Sequence, residues 1–365
     1  MLAAVPVFGH IVSNVPRRRV VSIVYAFFIL NLIAFRIMLG DGASVGLAQI
    51  FFVWASVFNL FTISLFWIVM SEHWESGQAK RLYGVIAAGG SLGGIAGPLI
   101  AQSLVHIIGP NNLLLVSAAF LGLALLAAQR VRAAFAGKTH HVDEQKREES
   151  LFAGALQVWK SPYLFQIALA ILLANVVSTF FYLEQLKIVG AAIPDRAERV
   201  QLFARMDLAV SIGTIVLQVL FASYVFNTFG VGIAAGLLPV TAIFGFLALS
   251  VAPVLAVIVA VVVVERAVTF SIASPGMRVL YTLVSPEEKY RAQNFIDTAV
   301  FRGGDALSGS LFTVMTRSWG LGAAGVAAIS IPLAALWLGL CLVLGRMHIE
   351  RAAEHDGQAV KSAAA

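Results

Sequence analysis

A chain of 365 residues that is 59% hydrophobic, only 12% charged and has a mean hydropathy of +0.89 is too apolar to be a soluble domain, where about a quarter of residues carry charge. It reads instead as a protein that crosses a membrane many times. The net charge of +6 is not a nucleic-acid footprint, because the basic residues sit in short loops between apolar runs, and the single cysteine, Cys341, excludes an intrachain disulfide framework and a multi-cysteine metal site.

Residues 2–12 are apolar but supply about half of the ~20 residues that a crossing needs, and they lead into Asn14-Val-Pro-Arg-Arg-Arg19. The stretch reads as the lower half of a helix whose upper half is missing from a shortened chain. The other reading is a re-entrant or interfacial segment. The start shows neither the basic n-region nor the small-residue cleavage site of a signal peptide.

About ten apolar segments of membrane-helix length follow, at 20–39, 46–70, 82–108, 112–130, 162–189, 201–227, 230–251, 254–283, 291–317 and 320–346. Length and loop punctuation identify them, since helices buried in a membrane are apolar all round and lose their amphipathic period. Alternate loops hold Arg17, Arg18 and Arg19, then Lys80 and Arg81, then the run from Arg130 to Lys160, then Lys289 and Arg291, and finally Arg346, Arg351 and Lys361. The opposite loops hold only Arg196, Arg199 and Arg317, so the positive-inside rule places the basic set and the C-terminal tail in the cytoplasm.

The one long polar stretch, VRAAFAGKTHHVDEQKREES, divides the chain. The expected organisation is an N-terminal helical bundle over 1–133, incomplete at its start, a central cytoplasmic linker over 134–160, a C-terminal bundle of about six helices over 161–346, and a cytoplasmic tail over 347–365. His140 and His141 lie in the linker as solvated side chains; a metal site needs three or four converging ligands, so no metal or cofactor is expected. The small-residue run Gly84–Pro98, GVIAAGGSLGGIAGP, lacks the Lys-Ser/Thr of a phosphate-binding loop and reads as a close-packing face with a bend at Pro98. Pro275-Gly276 is expected to kink its helix. ESGQAKRLYGVIAAGG (from Glu75) and EKYRAQNFIDTAVFRGG (from Glu288) form an internal repeat, with one residue of gap, of the kind two similar halves would show.

Deep charges are the candidate functional residues. In EEKYRAQNFIDTAVFRGGDALSGS, from Glu287, the residues Arg302 and Asp305 enter the apolar layer, where a charge costs a few kcal/mol unless it has a partner or faces water. They are i,i+3 with Gly303 and Gly304 between them, which fits either an intrahelical ion pair beside a packing groove or a substrate or gating role. Glu265 and Arg266 reach a similar depth one helix earlier, so mutual pairing among these side chains competes with substrate binding. Arg278 and Asp297 match in depth near the cytoplasmic ends of the same helices and read as an inner-gate ion pair or an ordinary hairpin bridge. Glu184 and Lys187 read as a surface pair, Arg36 as a snorkelling side chain, and Asn31, Asn59, Asn175 and Gln218 as amides bonding across helices.

KYRAQNFIDTAVFRGGD, with SPGMRVLYTLVSPEE before it and SEHWESGQAKRLYG in the first half, resembles the ATP/ADP exchange transporter family, from Gly9 onward. The resemblance implies a major facilitator fold: an all-α polytopic membrane protein of two bundles that exchanges nucleotides by alternating access. The superfamily's G-x-x-x-D-R-x-G-R-R loop is matched at Gly9 and in the arginine run that contains Arg18, while Ser13 stands for the acid and Asn14 for the base. Phosphates call for arginine donors, so Arg302, Asp305, Glu265, Arg266 and Arg205 become the expected substrate residues, with Arg278 and Asp297 as the gate. Arg205 is preferred to Asp207, which points to another face, because an anion is expected. The expected setting is a monomer in the bilayer of a bacterial inner membrane, carrying an anionic small molecule and no nucleic acid. The competing readings are a carrier of another organic anion or small metabolite, or a truncated membrane protein without transport. An enzyme is not expected, as no Ser-His-Asp set, metal-ligand spacing or Rossmann glycine loop is present.

Overall fold

The structure, a computed structural model, describes residues 17–39, 44–71, 76–134, 151–285, 288, 292–293 and 295–363. The expectations for residues 1–16, for His140 and His141 and for the opening of the internal repeat lie outside these. Among the described residues there is no strand, and eight segments are long and apolar enough to cross a membrane. One of them, Arg196–Val251, is 56 residues long, more than twice what a crossing needs, and it breaks at Gly230 (φ 76°, ψ 177°). A left-handed backbone of that kind favours glycine, so this position separates two crossings. The chain folds as an all-α polytopic membrane protein.

It divides into two units, Met1–Lys146 with Arg196–Ala204, and Arg147–Asp195 with Arg205–Ala365. The first contains α1 (Arg17–Met38), α2 (Val45–Ser71), α3 (Ser76–Ile108) and α4 (Leu113–Ala134). Its core is Val21, Val24, Tyr25, Phe28 and Leu32 of α1 against Phe61 of α2 and Ala118 and Leu121 of α4. Phe28 meets Trp54, Phe58 and Phe61 edge-on at 5.9, 5.2 and 5.9 Å, the geometry that ring quadrupoles favour. Arg36 donates to the Asn112 side chain rather than only snorkelling to the interface. The glycine face of α3 does not pack as expected within this unit. A Cβ at Gly89, Gly90, Gly93 or Gly97 would meet nothing within 4 Å.

The second unit holds α5 (Leu151–Lys160), α6 (Pro162–Ala192), the body of α7 (Arg196–Leu217), α8 (Ser223–Val251), α9 (Leu255–Val268), α10 (Ser274–Leu280), α11 (Phe301–Thr313) and α12 (Ala323–Ala363). Ser161 caps α6 by accepting from the Leu164 N–H, and Pro162 supplies the preset φ of a first turn. α6 is the central helix, with Ile167, Val177, Phe180 and Phe181 almost fully covered and Phe181 stacked on Phe246 at 4.0 Å. α8 and α12 cross so closely that Gly232 and Gly345 touch backbone to backbone. Five-residue π turns at 218–222, 269–273, 296–300 and 314–318 interrupt or extend its helices.

Two boundaries differ from the sequence reading. The stretch taken as linker, 134–160, contains α5, whose Gln157 donates to Glu288 at 2.7 Å. The stretch taken as tail, 347–365, continues α12 without a break to Ala363. Gly345 keeps a helical backbone and does not stop it before Arg346, and its next two turns bring a polar pair onto α6. The Tyr163 hydroxyl donates to the Leu280 carbonyl at 2.8 Å and lies 3.0 Å from His348 Nδ1, with the Arg351 guanidinium 4.5 Å from the ring centroid. The hydroxyl proton is committed to Leu280, so its oxygen accepts from His348. Tyr163 is 0% exposed, and Tyr163→Phe is expected to lower stability by about 1–2 kcal/mol, since it leaves a buried carbonyl without its donor. A thermal melt of the detergent-solubilised protein checks this.

Candidate substrate cavity

The second unit lines a half-open cavity of about 650 Å³, in the range that holds small organic ligands. α6 contributes Asn175 and Ser178, α8 Leu238, α9 Glu265 and Arg266, α10 Met277 and Arg278, and α12 Trp337 and Cys341. Two π turns border it, one with Thr269, Phe270 and Ala273, the other with Asp297, and Phe301 follows directly. Such turns recur at functional sites because they offset one helix face against the next.

Several polar groups on the wall are held by hydrogen bonds. Glu265 is 5% exposed and its Oε1 accepts from the Ser178 hydroxyl at 2.7 Å. Thr269 donates to the Glu265 carbonyl at 2.8 Å, and the Asn175 amide donates to the Phe301 carbonyl at 2.6 Å, tying α6 to the start of α11. That bond bears out the cross-helix role expected of Asn175, whereas Asn31 bonds within its own helix, to Phe27. Gly304 supplies the room, since a Cβ there would lie 3.0 Å from Leu172 and 3.1 Å from Asn175.

Of the expected site residues, the structure brings Glu265, Arg266, Arg278 and Asp297 to this cavity. Arg302 and Asp305 do not line it; they form the i,i+3 ion pair, at 3.3 Å, on another side of α11. Arg205 is exposed and does not line it either. Arg278 and Asp297 share the cavity wall without closing to an ion pair. Glu184 is buried rather than superficial, with Lys187 at 4.0 Å and the Lys187 ammonium over the Phe312 ring. Sequence reasoning missed Ser178, Tyr281 and Gln293, which line the wall, and it preferred Arg205 to Asp207, whereas Asp207 is the one that grips Arg266 at 2.6 Å. The only signal for the hydroxyl and the amide was a polar side chain inside an apolar run, and many such residues serve packing alone.

A bundle of membrane helices around a cavity with both charge signs on its wall is what a solute carrier requires. Residues 1–309 match the sequence profile of the Major Facilitator Superfamily, and the chain belongs to that family. It is a multi-pass membrane protein of the transporter class rather than an enzyme. No curated protein sequence matches it.

Proposed function

We propose that this chain carries a small organic anion across the membrane by alternating access, with a nucleotide as the first substrate to test and ATP/ADP-type exchange as the mode its sequence resemblance implies. It acts as a monomer in a bacterial inner membrane with its C-terminal end cytoplasmic, the side the loop charges favour. The observation that carries the reading is the placement of Arg266 and Arg278 on one cavity wall, roughly 18 Å apart along the chain at 1.5 Å per helical residue. Phosphates suit the guanidinium forks, sugar hydroxyls or a base amine suit Glu265, and Phe301, 42% exposed, offers a face for a planar ring. Asp297 opposite Arg278 supplies the gate, closing to an ion pair when the inner mouth shuts. Another organic anion with hydrogen-bond donors fits the same wall, and Glu265 favours any substrate that carries donors as well as negative charge.

Uptake of radiolabelled ADP, inorganic phosphate and succinate into vesicles reconstituted with the full chain tests the reading. The expected result is uptake of at least one of them, competed by unlabelled nucleotide and faster into vesicles preloaded with substrate. Uptake confined to neutral or cationic solutes, indifferent to anions, would overturn it.

A further inference from the structure

Glu265 and Arg266 are adjacent on α9, yet they leave it toward different partners. Glu265 turns to the Ser178 hydroxyl of α6, while Arg266 Nη1 reaches Asp207 Oδ1 of α7 at 2.6 Å. The Arg266–Asp207 pair is not sealed: its side chains keep 40% and 47% of their exposure, against 5% for the whole Glu265 residue. Arg266 stands on the cavity wall, and Asp207 is not part of the lining. One hydrogen bond occupies the guanidinium among the described residues, and its fork has five N–H donors. A second anion can therefore reach Arg266 without the helices moving apart.

We propose that Asp207 is the internal counter-anion of Arg266. It neutralises the guanidinium while the carrier is empty and yields it, wholly or in part, to the anionic group of the substrate. The proposal rests on the organic-anion reading above. Its consequence concerns the return step. An arginine left bare at membrane depth is costly, so a carrier that relied on substrate alone to neutralise it would change state only when loaded, and would be confined to exchange. With Asp207 in place the empty protein carries its own partner for Arg266 and returns unloaded. Exchange is then accompanied by net transport. Asp207 is a positioning residue here, acting through Arg266 rather than on the substrate.

The experiment compares two fluxes of radiolabelled ADP in the same preparation, net uptake into empty vesicles and exchange into ADP-loaded ones, with inorganic phosphate and succinate in parallel. The ratio of the two is internal to each protein, so it does not depend on how much of a variant folds. Asp207→Asn is expected to lower the ratio of net uptake to exchange at least tenfold and to lower the half-saturating ADP concentration severalfold, because Arg266 is released to the substrate. Asp207→Glu, which keeps the charge, is expected to restore most of the ratio. A purely structural bridge between α7 and α9 predicts that both fluxes fall together. A ratio within twofold of the parent in Asp207→Asn, with anion transport intact in the parent, overturns this proposal alone. A parent protein that moves none of the three anions overturns it together with the reading on which it rests.

Discussion

Gly232→Ala is expected to abolish the native packing of the second unit, seen as loss of a monodisperse, heat-stable protein in detergent. A Cβ at Gly232 would lie 2.5 Å from the Gly345 Cα and 3.3 Å from its nitrogen, and a Cβ at Gly345 meets Gly232 in the same way. Both obstacles are main chain. No rotamer relieves them, so α8 and α12, the most extensively packed helix pair of this unit, must separate. Overpacking of this kind costs about 1–3 kcal/mol, and more where backbone must shift, a large share of the stability of any domain. Gly345→Ala should do the same, and combining the two should not compensate, since each adds bulk to one contact. Gly339→Ala on the same helix is the control. Nothing lies within 4 Å of its Cβ position, so it should hold the melting temperature or raise it slightly, as alanine is the better helix former. Equal losses at Gly232 and Gly339 would show that the close crossing is not what the glycines serve.

Most crossings were legible because the bilayer sets a length that the sequence must meet. The described residues hold eight such segments against ten expected: Arg196–Val251 covers two of the ten, parted at Gly230, and the expected segment 291–317 is not among the eight, since α11 lies there between two π turns. The partners of the deep charges were not legible, and the reason is angular. Depth can be counted from a helix end, but direction changes by about 100° with each residue. Glu265 and Arg266 share a level and still part to α6 and α7. The π turn at 296–300 adds to this, because its wider turn shifts the facing of Asp297, which lies within it, relative to that of Arg302 beyond it. A count that assumes a regular α-helix puts both on a scale of depth and leaves their facing unspecified. The glycine run of α3 shows the complementary limit. Its small residues permit a close neighbour, but composition cannot say which helix, and within its own unit none comes near.

The same geometry ranks the arginines by their expected effect on transport. Arg278→Gln should lower uptake efficiency (kcat/KM) for the anionic substrate by roughly tenfold to a hundredfold, the equivalent of one charge-assisted hydrogen bond of about 1.5–3 kcal/mol. Its side chain is exposed on the cavity wall and has no ion-pair partner among the described residues, so the substitution would register the loss of the substrate anion together with that of the gate closure onto Asp297. Arg278→Lys should keep part of the function, since it preserves charge but not the bidentate fork. Arg302→Gln should cost far less, within about fivefold, because Arg302 is held by Asp305 at 3.3 Å away from the cavity and an i,i+3 pair of this exposure contributes only a few tenths of a kcal/mol. Initial uptake rates over a range of ADP concentrations separate the two substitutions. The reverse order, with Arg302 indispensable and Arg278 dispensable, would move the substrate from this cavity to the opposite face of α11, where Arg302 and Asp305 would then act as the displaceable pair.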